Sequence, residues 1–459
     1  MTLIKSISGI RGTIGGKPGE NLTPIDAVQF AAAFADWVKS RGHGNLVVLG
    51  RDARLSGKML SSIVANTLVG CGMDVLDLGL STTPTVEMAV PGENAAAGII
   101  LTASHNPKEW NALKLLNEKG EFISSADGAS LIEKIESGDL EFEEVDNLGT
   151  YVKMKGWIDK HVKLILERPE VDAELVGKAQ FKIALDAVNS SGGIAIPKIL
   201  KALGVKDMEL IYCEPNGRFP HNPEPLAKNL KDICNLVVEE KCDLGIAVDP
   251  DVDRLVFIMN DGKLFGEEYT LVAVSDYLLG LHNGGNTVSN LSSTRALNDV
   301  TKKHGGTYFA SAVGEVNVVE KMKEVNAVIG GEGNGGVIWP DLHYGRDALA
   351  GTALLLTYLA KRKISLVELR SEYTHYEMSK DKINLTDGIS WPQIMEKLKE
   401  KYAHENINTI DGLKIDFEEE WIHLRPSNTE PIIRVYSESK TMEGATELTE
   451  KFKREVLAF

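Results

Sequence analysis

The sequence has 459 residues, of which 43% are hydrophobic and 25% charged, with a formal net charge of −16. This is the composition of a globular chain of about three domains. Its acidity argues against nucleic acid and against anionic membrane surfaces as partners, so an anionic small ligand needs a local basic pocket.

The N-terminal "MTLIKSISGIRG" lacks the apolar core of a signal peptide, and no stretch is long and apolar enough to span a bilayer. Within it, Arg11 sits in "SGIRG", a basic stretch between glycines. The run "NLVVLG" (45–50) reads as a strand, a helical pattern follows at 59–72, and "DVLDLG" (74–79) reads as the next strand. Between them, "GRDARLSG" (50–57) carries Arg51 and Arg54, which read as partners in structural ion pairs.

A further apolar strand, Ala95–Leu101, ends in "TASHNP" (102–107), with Lys114 beyond. A serine at a strand end is a candidate nucleophile or phosphate carrier, here Ser104 with His105 beside it. No G-x-S-x-G elbow surrounds it, so a hydrolase triad is unsupported. A Ser-His-Asn-Pro turn also stops a strand without doing chemistry.

The same rhythm continues. Strand-like runs at 181–187, 208–214, 242–249, 286–292 and 326–332 alternate with helical patterns at 195–204, 230–241, 296–305 and 316–324. This predicts α/β layers with largely parallel strands, in an arrangement that repeats without a residue-level repeat. The run "LGIAV" leads into Asp249-Pro-Asp251-Val-Asp253-Arg254 and then "LVFIM". Alternate carboxylates between two buried strands converge on one point and call for a hard cation, Mg²⁺ or Ca²⁺. An EF-hand is excluded, because Arg254 stands where its glycine belongs and Asn260 where its closing glutamate belongs. Two other readings stay open: a phosphatase with Asp249 as nucleophile, and a solvated acidic turn.

After the strand at 326–332, the glycine-rich "GEGNGG" (331–336) lets backbone approach a ligand closely, with Glu332 and Asn334 able to bind sugar hydroxyls. It is not a dinucleotide fingerprint, and a flexible turn is the plain alternative. The last part reads differently, as strands at 382–387, 412–417, 421–426 and 432–438 with helices at 391–402 and 443–457, a separate α+β unit. Within it, "RPSNTEP" (425–431) offers Arg425, Ser427, Asn428 and Thr429, which are phosphate-binding parts or a Pro-bounded turn.

Together and in this order, "SGIRG", "GRDARLSG", "TASHNP", "DPDVDR", "GEGNGG" and "RPSNTEP" resemble the motifs of the α-D-phosphohexomutase superfamily over essentially the whole chain. The resemblance implies three related mixed α/β domains and a C-terminal α+β domain around a central cleft. Their expected bounds are 1–150, 151–257, 258–370 and 371–459. It implies a phosphoryl group carried on Ser104, and one Mg²⁺ on Asp249, Asp251, Asp253 and Ser104. Arg11, Lys114 and Arg254 are implied near the transferring phosphate, with His105 and Lys114 assisting proton transfer. Glu332 and Asn334 would hold sugar hydroxyls, and Arg425, Ser427, Asn428 and Thr429 the phosphate that is not reacting. The partner implied is a small hexose phosphate, with a sugar bisphosphate as intermediate and activator, and the enzyme would be a monomer or homodimer in the cytoplasm.

The sugar loop departs from the better-known members. Many have Ser where Asn334 stands and His where Gly336 stands, which suggests extra room at 336 and leaves His343 as a candidate substitute. "GEGNGG" and "VGEVNV" (313–318) are closer to the archaeal-type phosphoglucosamine mutase branch. Glucosamine phosphate is therefore the expected substrate, with a phosphoglucomutase/phosphomannomutase as the alternative and a non-catalytic sugar-phosphate-binding protein as the rival class. Four cysteines, at 71, 213, 234 and 242, form no C-x-x-C and read as reduced thiols.

Overall fold

The computed structural model describes residues 2–6, 9–384, 390–427 and 432–458. Three of its sheets share one plan. The strands Leu46–Arg51, Asp74–Leu80 and Ala97–Leu101 are parallel and joined by the helices Gly57–Gly70 and Thr83–Gly92. Trp110–Leu116 then returns antiparallel to Ala97–Leu101. The second sheet repeats this with Lys182–Asp186, Asp207–Ile211 and Leu244–Val248, closed by the antiparallel Leu255–Met259. The third repeats it with Asn286–Asn290, Tyr308–Ser311 and Ala327–Glu332, closed by Gly336–Ile338. The first sheet is enlarged to seven strands by Ile4–Ser6, Gly9–Thr13 and Tyr151–Lys153. The repetition is thus one of topology, which a sequence can carry without residue identity.

The reason for this layering lies in the strands themselves. Ala97–Leu101, Leu244–Val248 and Leu255–Met259 are buried at every position. Strands apolar on both faces require helices on both faces. The helix Pro24–Arg41 begins at a capping box between Thr23 and Asp26, with proline in its first turn, and stops at Gly42 in the left-handed region (φ 70°). The second and third units share one hydrophobic core, in which Phe257 and Leu255 of one lie with Leu271 and Leu354 of the other.

The fourth sheet is wholly antiparallel, in the order Glu377–Asn384, Ile432–Ser439, Trp421–Pro426, Leu413–Asp416, Asn406–Asn408. It packs the helices Trp391–Lys401 and Met442–Leu457 into a core of its own. Its junction with the third unit is polar. Ser292 Oγ lies 2.9 Å from His423 Nδ1, and the Arg295 guanidinium donates to the carbonyls of Phe417, Glu418 and Glu420. Val313 N donates to Asp411 Oδ2 (2.9 Å).

Two expected boundaries move. Leu255–Met259 pairs with Leu244–Val248, so the limit at 257/258 cuts through a strand of the second sheet. Tyr151–Lys153 pairs with Asp74–Leu80, so the first sheet continues past 150. No helix among the described residues is long and apolar enough to cross a membrane.

Candidate active site

In every unit the chemically loaded loop is the turn between the same two kinds of strand, an incoming strand and its antiparallel neighbour. Ser104 follows Ala97–Leu101, the three aspartates follow Leu244–Val248, and Glu332 ends Ala327–Glu332. The loop after Trp421–Pro426 begins with Ser427 and leads to Ile432–Ser439. These turns are tight. Ser104 (φ 48°), Val252 (φ 65°) and Gly335 (φ 86°) all lie in the left-handed region. For a serine, and more so for a β-branched valine, that conformation costs about 1–3 kcal/mol and persists only where the surroundings impose it. Gly335 has no alternative, because a Cβ there would lie 2.5 Å from the Leu255 carbonyl oxygen.

Ser104 is almost fully buried, and its Oγ donates to Asp249 Oδ2 at 2.8 Å, with His105 Nδ1 3.3 Å away. Its backbone is fixed by Arg54. That guanidinium is 1% exposed and donates Nη2 to the carbonyls of Ser104 (2.5 Å) and Asn106 (2.6 Å). Its Nη1 donates to Pro107 (2.7 Å) and Trp110 (3.0 Å), and its Nε to Asp52 Oδ2 (3.0 Å). Thr102 Oγ1 completes Asp52's shell at 2.7 Å. Arg54 is thus the ion-pair partner the sequence suggests and also a clamp on the serine loop. Arg51 donates to the Asp52 carbonyl (3.0 Å) and forms no ion pair among the described residues.

Asp249, Asp251 and Asp253 are each fully buried, with ligand oxygens within 4.8 Å of one another. Burial, then Asp253 and Asp251, push the Asp249 carboxyl well above the usual range. Lys114 Nζ donates to Asp251 Oδ2 (2.8 Å) and Asp253 Oδ2 (3.3 Å). Burial pulls the Lys114 ammonium down, but Asp251 and Asp253 outweigh it and hold its proton firmly. Asp253 is likewise lifted by burial and brought below the usual range by Arg346, Lys114 and Arg254. Asp251 Oδ1 and Asp253 Oδ1 remain buried with no hydrogen-bond partner. Two orphaned carboxylate oxygens facing a third carboxylate are what a hard cation satisfies, so the donor set fits Mg²⁺.

Arg11 Nη1 donates to Asn106 Oδ1 (3.0 Å) behind the serine. Burial of His105, then Arg254, pushes its imidazole down to about 3, so it is neutral at pH 7. A cavity of about 340 Å³ connects these groups to the rest, and all four units line it. His105 comes from the first and Arg254 and Glu224 from the second; the third gives Glu268, Glu332 and Asn334, and the fourth Arg425, Arg434, Lys380 and Tyr436. Arg425 is held by Asp411 (Nε to Oδ2, 2.9 Å). Ser427 N donates to the Ile432 carbonyl (2.9 Å), while Asn428 and Thr429 lie outside the described residues.

Two sequence expectations change here. Gly336 leaves no spare room, since a Cβ there would lie 2.3 Å from Arg346 Cδ. His343 is no substitute in the sugar loop, for it packs with Asp347, Glu87 and His161 behind the site. Lys114 reaches the aspartate loop, as an ion-pair partner of Asp251 and Asp253. Arg346 itself escaped notice, as did Arg434, Lys380 and Glu268. Only Arg434 had a sequence cue, since it stands opposite Arg425 in register on the neighbouring strand.

Comparison with known proteins bears on the family of the chain. Domains I, II, III and the C-terminal domain of phosphoglucomutase/phosphomannomutase match residues 3–141, 159–262, 266–376 and 382–455. The chain belongs to the phosphoglucomutase/phosphomannomutase family, whose members are phosphohexomutases, a class of isomerase. It is 35% identical over 444 residues to a phosphoglucomutase/phosphomannomutase of Thermococcus kodakarensis, covering 96% of each chain. It is 31% identical over 456 residues to a phosphoglucosamine/phosphogalactosamine mutase of Sulfurisphaera tokodaii, covering 97% of each. A family protein of Burkholderia thailandensis superposes with a TM-score of 0.85 at 27% identity, over 99% of this chain and 97% of that one.

The clamp makes a prediction. Arg54→Met leaves Asp52 buried and unpaired, which costs about 3–5 kcal/mol, measurable by urea denaturation. Adding Asp52→Asn should recover part of that stability but not the turnover, since the serine loop stays unclamped.

Proposed function

We propose that this enzyme is a phosphoglucosamine mutase, interconverting glucosamine 6-phosphate and glucosamine 1-phosphate through phosphorylated Ser104 and a sugar bisphosphate. The observation that carries this reading is Ser104 Oγ, 2.8 Å from the first of three buried aspartates, beside a cavity lined by all four units.

In this reading a divalent cation on Asp249, Asp251 and Asp253 supplies the positive charge that a phosphoryl group in transit needs. The chain's residues do the rest. Arg425, Ser427, Asn428 and Thr429 grip the phosphate that is not reacting, with Arg434 adding a second guanidinium. Glu332 and Asn334 orient the sugar hydroxyls. The bond from phosphorus to Ser104 Oγ breaks as one forms to the sugar hydroxyl, whose proton is taken up with the help of His105 and Lys114. Lys114, Arg11 and Arg254 stabilise the spread negative charge. The bisphosphate then turns end for end; its other phosphorus bonds to Ser104 Oγ as its bond to the sugar oxygen breaks, and that oxygen recovers the proton.

The preference for an amino sugar rests on the third unit. Glu268 lines the cavity with its carboxyl pushed up to about 8 by burial, and no ion pair holds it among the described residues. Lys380 already lowers that carboxyl's pKa through space, and a protonated 2-amino group would add a cation within the cavity. A phosphoglucomutase/phosphomannomutase is the second reading, favoured by the Thermococcus relative at 35% identity.

Ser104→Ala should abolish turnover while leaving the denaturation midpoint unchanged. Intact mass should show one phosphate on the wild type after incubation with sugar bisphosphate and none on the variant. A variant turning over at the wild-type rate refutes the carrier role. Chelation should silence the enzyme and Mg²⁺ restore it; full activity in excess chelator contradicts the cation site. In a panel of hexose phosphates, kcat/KM for glucosamine 6-phosphate should exceed that for the glucose and mannose phosphates by roughly ten- to a hundredfold, the worth of one charged hydrogen bond. Glu268→Gln should narrow that gap, and a preference for glucose or mannose phosphate selects the second reading.

A further inference from the structure

One buried arginine joins the loop of the three aspartates to the sugar loop. Arg346 is 8% exposed and spreads its guanidinium over three carboxylates. Nη2 donates to Asp253 (2.5 Å), Nη1 to Glu332 Oε2 (2.7 Å) and Nε to Glu315 Oε2 (3.1 Å). Asp253 belongs to the second unit, Glu332 and Glu315 to the third. Among the described residues no hydrogen bond runs directly between Asp253 and Glu332. The other contact between their loops, Leu255 N to the Gly335 carbonyl (3.0 Å), is backbone and carries no net charge.

The arm has no slack. It passes over Gly336, where any side chain would collide with Arg346 Cδ. The next residue, Asp347, is 1% exposed and fixed from behind. Its Oδ2 lies 2.9 Å from His161 Nε2, and its Oδ1 accepts from Leu349 N and Ala350 N at the start of the helix Ala348–Arg362. Its backbone N donates to the Val337 carbonyl (2.8 Å). Arg346 therefore cannot follow one carboxylate away without leaving another.

We propose that Arg346 is a positioning residue that couples the two halves of the site, so that a cation on the aspartates and a sugar on Glu332 bind cooperatively. This rests on the site reading above. A cation beside Asp253 would compete with Arg346 for that carboxylate, and the guanidinium, fixed in place, would then give more of its charge to Glu332 and Glu315. Glu332, whose Oε1 already accepts from Asn290 Nδ2 (2.9 Å) and Gly314 N (3.3 Å), would then have its Oε2 held more firmly before the sugar arrives, and a hydrogen-bond acceptor already fixed binds its partner at lower entropic cost. The converse follows from linkage: a sugar that fixes Glu332 draws on the same guanidinium and favours the cation. Arginine suits this because its planar fork serves several carboxylates at once, which a lysine cannot.

The test measures binding. Mg²⁺ affinity is titrated calorimetrically with and without saturating glucosamine 6-phosphate, in the wild type, Arg346→Met and Arg346→Lys. In the wild type the sugar phosphate should tighten Mg²⁺ binding about fivefold or more, the lower end of ordinary coupling. In Arg346→Met the ratio should fall toward one, while Mg²⁺ alone binds at least as tightly as before because a competing cation has gone. Arg346→Lys should recover only part of the ratio. A wild-type ratio in Arg346→Met overturns the proposal. If that variant does not fold, Glu332→Gln weakens the same bridge at its other end and must lower the ratio; an unchanged ratio there overturns the proposal equally. A wild type that binds neither Mg²⁺ nor the sugar phosphate overturns the site reading, and this inference with it.

Discussion

Burying three aspartates within 4.8 Å of one another is the constraint from which the rest of the structure follows. Each carboxylate removed from water costs several kcal/mol unless cations and donors replace the solvent. Their loop supplies only part of this itself, through the backbone N of Asp253 and of Arg254 on Asp249 Oδ1 (3.2 Å each) and the charge of Arg254. Lys114 and Thr83 come from the first unit, the latter donating Oγ1 to Asp251 Oδ2 (2.6 Å) and its backbone N to the Asp251 carbonyl (2.9 Å). Arg346 comes from the third. Electrostatic need at one loop therefore draws three domains together, and the cleft lies where they meet.

The threefold repetition of topology explains why the loops can converge. Each unit ends its third parallel strand in a turn and returns antiparallel beside it, so each offers one short loop at the same end of a sheet. The backbone of that turn is left-handed in all three, at Ser104, Val252 and Gly335. The chemistry differs because the residues after the turn differ: a hydroxyl, a set of carboxylates, or bare backbone with a flanking glutamate. The fourth unit reaches the same place by another route, a meander whose loop follows Trp421–Pro426.

Much of this was legible in the sequence because it is local. A buried strand, the turn after it and the polar residues on that turn lie within a dozen residues, and "TASHNP" and "DPDVDR" carry their types and spacing openly. The alternation of strands and helices announced the α/β layers for the same reason. What stayed hidden depends on residues far apart in the chain. Arg54 meets Ser104 across 50 positions, and Arg346 meets Asp253 across 93. No periodicity encodes either contact. Gly336 misled for a related reason, since a glycine says that a side chain is absent but not what occupies its place.

The fourth unit's attachment has a consequence for how the cleft is entered. Its core is closed on itself, while the second and third units share theirs. What binds it to the third unit is largely a set of directional polar contacts, such as Arg295 on three carbonyls and Ser292 beside His423. Water can take over such bonds one at a time, whereas parting a shared apolar core would expose its whole surface at once. The seam therefore resembles a row of snaps rather than a weld, and the molecule has been given its line of easiest opening along the edge where a substrate must come and go.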